Sequence, residues 1–264
     1  MSSKVGMELT RLRVVVLILL ALSATSFLLH YHTRPVIAVI RVEGSIEDFY
    51  AYPDLAKQAM RDDKIKAVVL VVDSYGGTVD ACFQAEQSFR ELNARKPVVV
   101  SMGQYATSGA YLISSASSYI YAYEYTTTGG LGVIAVWVSY ENYLAKEGIK
   151  YYVWKSGEMK DIGAPWRGPT EEENRKLQEL VDEYMEKLLR IIDNNRRRDN
   201  RPLLKNLDEL KKGEVYYGED AIAYGLVDEL GDFKDAERKA ATLSGLKEGE
   251  YRVVELKPRT RPAS

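Results

Sequence analysis

Histidine is nearly missing from this sequence. Of its 264 residues only His30 and His32 are histidines, and both sit at the end of an apolar N-terminal run. The long region that follows has none, which excludes a Ser-His-Asp triad, a Cys-His pair and histidine-ligated zinc within one domain. Cysteine is scarcer still. Cys82 stands alone, so neither an intramolecular disulfide nor a thiolate metal cluster can form. We read Cys82 as a small apolar helix residue, since free cysteine is commonly buried. Net charge is slight: 36 Lys and Arg against 38 Asp and Glu leave −2, and nothing draws the chain toward nucleic acid. No internal repeat is visible. The G-x-G-x-x-G and Walker patterns are absent. The sequence therefore calls for no metal, no cofactor and no nucleic-acid partner.

Ordinary globular composition remains, with 46% hydrophobic and 28% charged residues. Between Arg13 and Arg34 lie 20 residues without a full charge, and 14–29 are mostly apolar. A helix of about 20 residues rises ~30 Å, enough to cross the hydrocarbon core. Ala21, Ser23 and Ala24 would also suit cleavage as a signal peptide. Apolar residues continue past them to Leu29, so we read 14–33 as a retained transmembrane anchor. Lys4, Arg11 and Arg13 precede it and place residues 1–13 in the cytoplasm. The expectation is a single-pass protein of the cell membrane, with a domain at 34–256 outside the cytoplasm. Residues 257–264 form a polar, disordered tail.

Within the domain, apolar runs at 36–42, 67–72 and 97–102 read as buried strands, and 67–72 is β-branched enough to be covered on both faces. Shorter strands are expected at 119–122 and 151–154, with an apolar stretch at 133–138 between them. Gly44 opens a loop, 73–78 reads as a turn, 103–107 as a short link and 126–132 as a Gly/Thr-rich loop. Helical spacing marks 51–62, a helix from the turn to about Leu92, and one near 108–117. Thr170 and Glu173 make a capping box for a long helix whose apolar side carries Leu177, Leu180, Val181, Tyr184, Leu188, Ile191 and Ile192. We read Arg196–Arg198 as its solvated end, favourable to the helix dipole. Strands alternating with helices at this spacing imply an α/β fold of ββα or βαβ units around a mainly parallel sheet.

Ser108 lies in Ala106-Thr107-Ser108-Gly109-Ala110, where a buried strand passes into a helix. Small neighbours are what a serine on a tight strand-to-helix turn needs, and such a turn aims helix N–H groups at an oxyanion. A capping serine fits the same position. Gly76 and Gly77 follow the preceding strand and allow close backbone approach. They suit an oxyanion donor, an edge for an extended peptide, or a plain turn. Lys160, in a polar loop, is the substitute base a histidine-free domain would need, provided burial lowers its pKa and Asp161 points away.

Five stretches in order resemble the signal peptide peptidase A family of Ser–Lys peptidases. They are DSYGGTVDA at 73–81, YATSGAYLISSAS at 105–117, TGGLGVI at 128–134, KSGEMKDIGAPWRGPTEEE at 155–173 and VYYGEDAIAYGLVDELG at 215–231. The resemblance implies a Clp-protease/crotonase-like α/β fold. It implies Ser108 as nucleophile, Lys160 as general base, and an oxyanion hole from the Gly77 and Gly109 N–H groups, with Gly76 and Gly77 against the substrate. It further implies a membrane-tethered homo-oligomeric ring whose sites are shared between subunits, acting on signal peptides and membrane-protein fragments.

Two departures stand out. Relatives usually have Pro-Gly-Gly where this chain has Tyr75-Gly76-Gly77. The usual Gly-Ser-Ile-Gly appears as Gly129-Gly130-Leu131-Gly132, without the hydroxyl that helps hold the lysine. Thr128 is a candidate substitute. The competing expectations are a catalytically inactive membrane-tethered scaffold and a crotonase-type acyl-CoA enzyme on the same fold.

Overall fold

The computed structural model describes residues 17–23, 25, 33–198, 200–203 and 207–258. Three long parallel strands form the centre of one sheet: β1 (Val36–Ile46), β2 (Ile65–Gly77) and β3 (Val98–Thr107). Each is followed by a helix: α1 (Ala51–Arg61), α2 (Val79–Asn93) and α3 (Gly109–Ser115). Strand β3 then forks. Val99–Ser101 pair with β4 (Tyr119–Ala122), while Tyr105–Thr107 pair with β5 (Thr127–Gly129). Antiparallel β6 (Val215–Tyr217) extends the β5 branch, β7 (Glu229–Leu230) joins β4, and β8 (Arg252–Glu255) lines the far side of β1. Register shifts at Glu43/Ser45 in β1 and Val72/Ser74 between β2 and β3 mark bulges. Bulges bend strands, so the ββα unit takes the form of a long bent strand followed by a helix.

Strand alternation sets two cores. Val68, Leu70 and Val72 face one side, with Phe89 of α2, Ala110 of α3, and Leu188 and Ile192 of α5 (Glu171–Arg198). Ala67 and Val69 face the other, against Ala236, Ala240 and Ala241 of α8 (Phe233–Leu243). Strand β2 is therefore covered on both faces, as its unbroken apolar run requires. Each Val, Leu, Ile or Phe among them contributes about 1.5–3 kcal/mol on burial. Between α5 and β6 lies the short α6 (Leu207–Leu210), and α7 (Gly218–Ala223) follows β6. The capping box of α5 is present: the Glu173 N–H donates to Thr170 Oγ1 at 3.2 Å, and the Thr170 N–H donates to Glu173 Oε2 at 2.9 Å.

Several expectations need correction. Residues 73–77 are strand, not turn, because β1 continues past Gly44 and pairs Ser45 and Ile46 with Gly76 and Gly77. Residues 103–107 and 127–129 are likewise strand, each supplying the other's partner. Conversely, 151–154 form no strand, nor does the apolar stretch at 133–138. Their neighbours hold only the short helix α4 (Glu141–Lys146), and their apolar side chains stand in solvent, up to 87% exposed at Ile134 and 89% at Trp154. The cluster Arg196–Arg198 is not simply solvated. Arg196 is buried in an ion pair with Asp228, and Arg198 donates to the Ala116 carbonyl at 3.1 Å.

Of the expected anchor at 14–33, residues 17–23, 25 and 33 are described. Leu17, Ile18, Leu19, Leu20 and Leu22 are exposed and helical. Among the described residues no helix is long and apolar enough to cross a membrane. The rest of that segment, residues 1–13 and residues 259–264 lie outside the described residues.

Candidate active site

Strand β3 runs straight into Ser108, and helix α3 starts one residue later. This abrupt change of direction is taken up at Ser108 itself, with φ +55° and ψ −123°. A residue with a side chain rarely adopts this conformation, which costs of order 1–3 kcal/mol and persists only when its surroundings enforce it. Here the Ser108 N–H donates to the Gly129 carbonyl at 2.8 Å, and its own carbonyl accepts from the Leu112 N–H at 3.0 Å. Both sides of the turn are thus held by backbone. The hydroxyl does not cap the helix. It makes no hydrogen bond among the described residues, so the capping role that the motif also suited is not the one it has.

Gly76 lies directly against this serine. A Cβ at Gly76 would sit 3.3 Å from Ser108 Oγ and 2.9 Å from the Gly109 nitrogen, and φ +103° there is itself a glycine conformation. Gly77 is the next residue along the rim. The Thr78 N–H donates to the Ile46 carbonyl at 2.9 Å. Alternation along a parallel ladder then turns the Gly77 N–H away from β1. It faces the Cys82 thiol on α2 and weakly opposes the effect of burial on it. The Gly77 nitrogen lies 3.6 Å from where a Cβ on Gly109 would be. Gly109, first residue of α3, has an N–H with no partner inside its own helix. The Gly77 and Gly109 N–H groups thus lie close together beside Ser108.

The loop is braced from beneath. Ser74 Oγ donates to the Gly44 carbonyl at 2.5 Å and accepts from the Gly76 N–H at 3.0 Å. Thr107 Oγ1 donates to the Tyr75 carbonyl at 3.2 Å. Cys82 backs the two glycines, and a Cβ on Gly109 would collide with its sulfur. Burial pushes the Cys82 thiol up to about 11, against a smaller opposing effect of the Gly77 N–H. It stays a neutral thiol near neutral pH, in keeping with its reading as a packing residue. What the sequence did not reveal is where it packs. Its place one turn into the helix after Gly-Gly was the available signal.

Thr128 is fully buried, and its hydroxyl donates to the Ala106 carbonyl at 2.7 Å, so its proton is spent within the sheet. A Cβ on Gly130 would stand 3.8 Å from the Ser108 nitrogen. A hydroxyl at position 130 would thus border the serine.

Lys160 is placed elsewhere. It sits on a 3-10 turn, Glu158–Asp161, is exposed, and its ammonium makes no hydrogen bond or ion pair among the described residues. No hydrogen bond joins it to Ser108 within the chain. The neighbouring Asp161 carboxylate is occupied by Lys155 Nζ at 2.7 Å and by Arg167, Nε at 3.0 Å and Nη2 at 2.8 Å. Those hydrogen bonds, Arg167's foremost, hold the Asp161 carboxyl well below the usual carboxylate range. The site holds a prospective nucleophile, two prospective oxyanion donors and a glycine-lined rim. Among the described residues no group of His, Cys, Asp or Glu is arranged to hold a metal.

The chain is 35% identical over 204 residues to a putative protease of Methanocaldococcus jannaschii, covering 77% of this chain and 64% of that one. It is 36% identical over 227 residues to protease 4 of Salmonella typhi, covering 82% and 36%. It thus spans under two thirds of the length of either. In fold it resembles the 1510-N membrane-bound stomatin-specific protease of Pyrococcus horikoshii, with a TM-score of 0.56, 16% identity, and 86% of this chain and 99% of that one covered. Residues 90–247 match peptidase family S49, and the chain belongs to that family.

Proposed function

We propose that this chain is a serine endopeptidase in which Ser108 is the nucleophile and Lys160 the general base. The observation that carries the reading is the strained Ser108, its hydroxyl free beside the Gly77 and Gly109 N–H groups, in a chain of this family. Neutral Lys160 takes the hydroxyl proton as Ser108 Oγ bonds to a peptide carbonyl carbon. The two N–H groups hold the resulting oxyanion, and each such donor is worth about 10²–10³ in rate. The lysine ammonium gives its proton to the departing amine as the C–N bond breaks. Water then attacks the acyl-enzyme, Lys160 takes its proton, and the acid product and free Ser108 are released.

Lys160 reaches Ser108, in this reading, from a neighbouring subunit of a homo-oligomeric ring. The exposed apolar side chains between Ile134 and Trp154 support assembly, because clustered exposed apolar residues commonly mark interaction surfaces. Extended, apolar peptides, including signal peptides and membrane-protein fragments, are the substrates. The ring is tethered through residues 14–33, with its sites outside the cytoplasm.

A fluorophosphonate probe followed by peptide mapping tests the nucleophile. Labelling at Ser108, lost in Ser108→Ala, is the expected result. An assembled protein that takes no label favours instead an inactive scaffold, a reading to which the missing hydroxyl at Gly130 points.

A further inference from the structure

The five N–H donors of Arg167 are all engaged around the turn that carries Lys160. Nε and Nη2 clamp Asp161 side-on. Nη1 and Nη2 grip Glu173 end-on at 2.7 and 2.6 Å, and Nη1 also meets the Gly168 carbonyl at 3.0 Å. The guanidinium lies 5.1 Å from the centre of the Trp137 ring. That indole N–H donates back to the Ala164 and Arg167 carbonyls, at 3.0 and 3.1 Å. Glu173 is the capping residue of α5 and its side chain is 3% exposed. One arginine thus bolts the Lys160 turn to the start of a 28-residue helix. Planar, doubly bidentate pairing of this kind fixes direction as well as distance, which lysine would not do.

We propose that Arg167 is the positioning residue for Lys160, fixing its turn and holding the Asp161 carboxylate away from its ammonium. This rests on the reading of Lys160 as the base. A carboxylate one residue away, if released, would favour the charged lysine and withdraw the base. Other charges face the turn: Lys155 and Glu158 from the same loop, Glu141 from α4, and Glu171, Glu172 and Glu173 from α5. Lys155 donates to the Glu158 carbonyl and to Asp161, so it assists the clamp. Glu141 accepts from the Gly168 N–H at 3.0 Å, and Glu173 is taken by Arg167. Asp161 is the acid nearest Lys160 in sequence, and its release is the change that matters.

The test is the pH profile of kcat/KM for peptide hydrolysis by the full chain in detergent. Its acid limb reports the ionisation of the base in the free enzyme. Arg167→Gln is expected to move that limb up by about one pH unit and to lower kcat/KM at pH 7 about tenfold. Asp161→Asn is expected to move the limb the opposite way, and the double variant to return it toward wild type. Arg167→Lys should fall between Arg167→Gln and wild type. If Arg167→Gln does not fold, judged by circular dichroism, the upward shift in Arg167→Lys carries the test, with Asp161→Asn added to it expected to cancel that shift. Activity that falls with the limb unmoved in both variants would make Arg167 a structural residue only and overturn the proposal. Full activity in Lys160→Ala would instead strike the dyad itself, which separates the two failures.

Discussion

Ser108 carries a conformational cost that a glycine would not. Its φ of +55° is enforced by the Gly129 and Leu112 hydrogen bonds, and the strain is stored where the hydroxyl must project. Ser108→Ala keeps the strain and should leave stability unchanged. Ser108→Gly relieves it, offset by the greater freedom of glycine in the unfolded chain, and should gain about 1 kcal/mol. For a domain of this size that is a rise in Tm of roughly 2–4 °C. Thermal unfolding of the two variants, both inactive, compares them directly. Equal Tm values would mean that the turn is not strained. The neighbouring glycines make a second prediction. Gly109→Ala drives a methyl into the Cys82 sulfur and should cost the oxyanion hole its shape, with peptide hydrolysis falling at least about 10²-fold. Adding Cys82→Ala opens the space and should restore part of the rate. No recovery in the double variant would separate Cys82 from the hole.

At the scale of elements, helix α5 brings two charged anchors to opposite ends. Its start holds Arg167 and Asp161 through Glu173, whose carboxyl Arg167 brings down to about 2. Both carboxylates are depressed by their partners, Asp161 and Glu173 alike. Their contribution to stability is therefore complete above the ordinary carboxylate pKa near ~4 and lost as pH falls below it. Acid unfolding followed between pH 5 and 2 should steepen in wild type and flatten in Arg167→Gln. At the other end Arg196 is buried with Asp228, which also accepts from the Ile120 N–H at 2.7 Å. Arg196→Ala leaves Asp228 ion-paired with Arg201 alone among the described residues, 3.3 Å away, and should cost about 1–3 kcal/mol in urea unfolding.

These elements were not equally legible. The capping box, the buried run of β2 and the strand-to-helix passage at Ser108 follow from local chemistry, and sequence sufficed. The turn expected at 73–78 failed because glycine was read as punctuation. In fact Gly76 and Gly77 are strand residues that β1 pairs from 31 positions away, and no local pattern encodes that partner. Arg196 was misread for the same reason: a basic helix end looks solvated until a remote aspartate covers it. The expected strand at 151–154 and the apolar stretch at 133–138 show the converse, β-prone sequence with no partner strand among the described residues.

Those partnerless segments set the problem for the whole molecule. Ile134, Val136, Val138, Tyr151, Tyr152 and Trp154 are all exposed, and the Lys160 turn follows them in sequence. The two residues of the proposed dyad belong to different parts of the structure, with no hydrogen bond between them. The proposed assembly through the apolar stretch would account for both facts at once. Val136→Asp with Trp154→Asp should yield monomers by light scattering and abolish hydrolysis while Ser108 itself is unchanged. Monomers that remain active would rule out a shared site. The family resemblance was readable in five ordered motifs. The same motifs implied a ring through the resemblance; the exposed apolar surface proposed to carry it is visible only in the folded structure, because exposure is not a property of any motif.

The measurement that bears most directly on the central claim is hydrolysis of a fluorogenic apolar peptide by wild type, Ser108→Ala, Lys160→Ala and a refolded mixture of the two variants. The account predicts activity in wild type, none in either variant, and partial recovery in the mixture, where some neighbouring subunits supply one intact serine and one intact lysine. Undiminished hydrolysis by Ser108→Ala, or by Lys160→Ala, would contradict it.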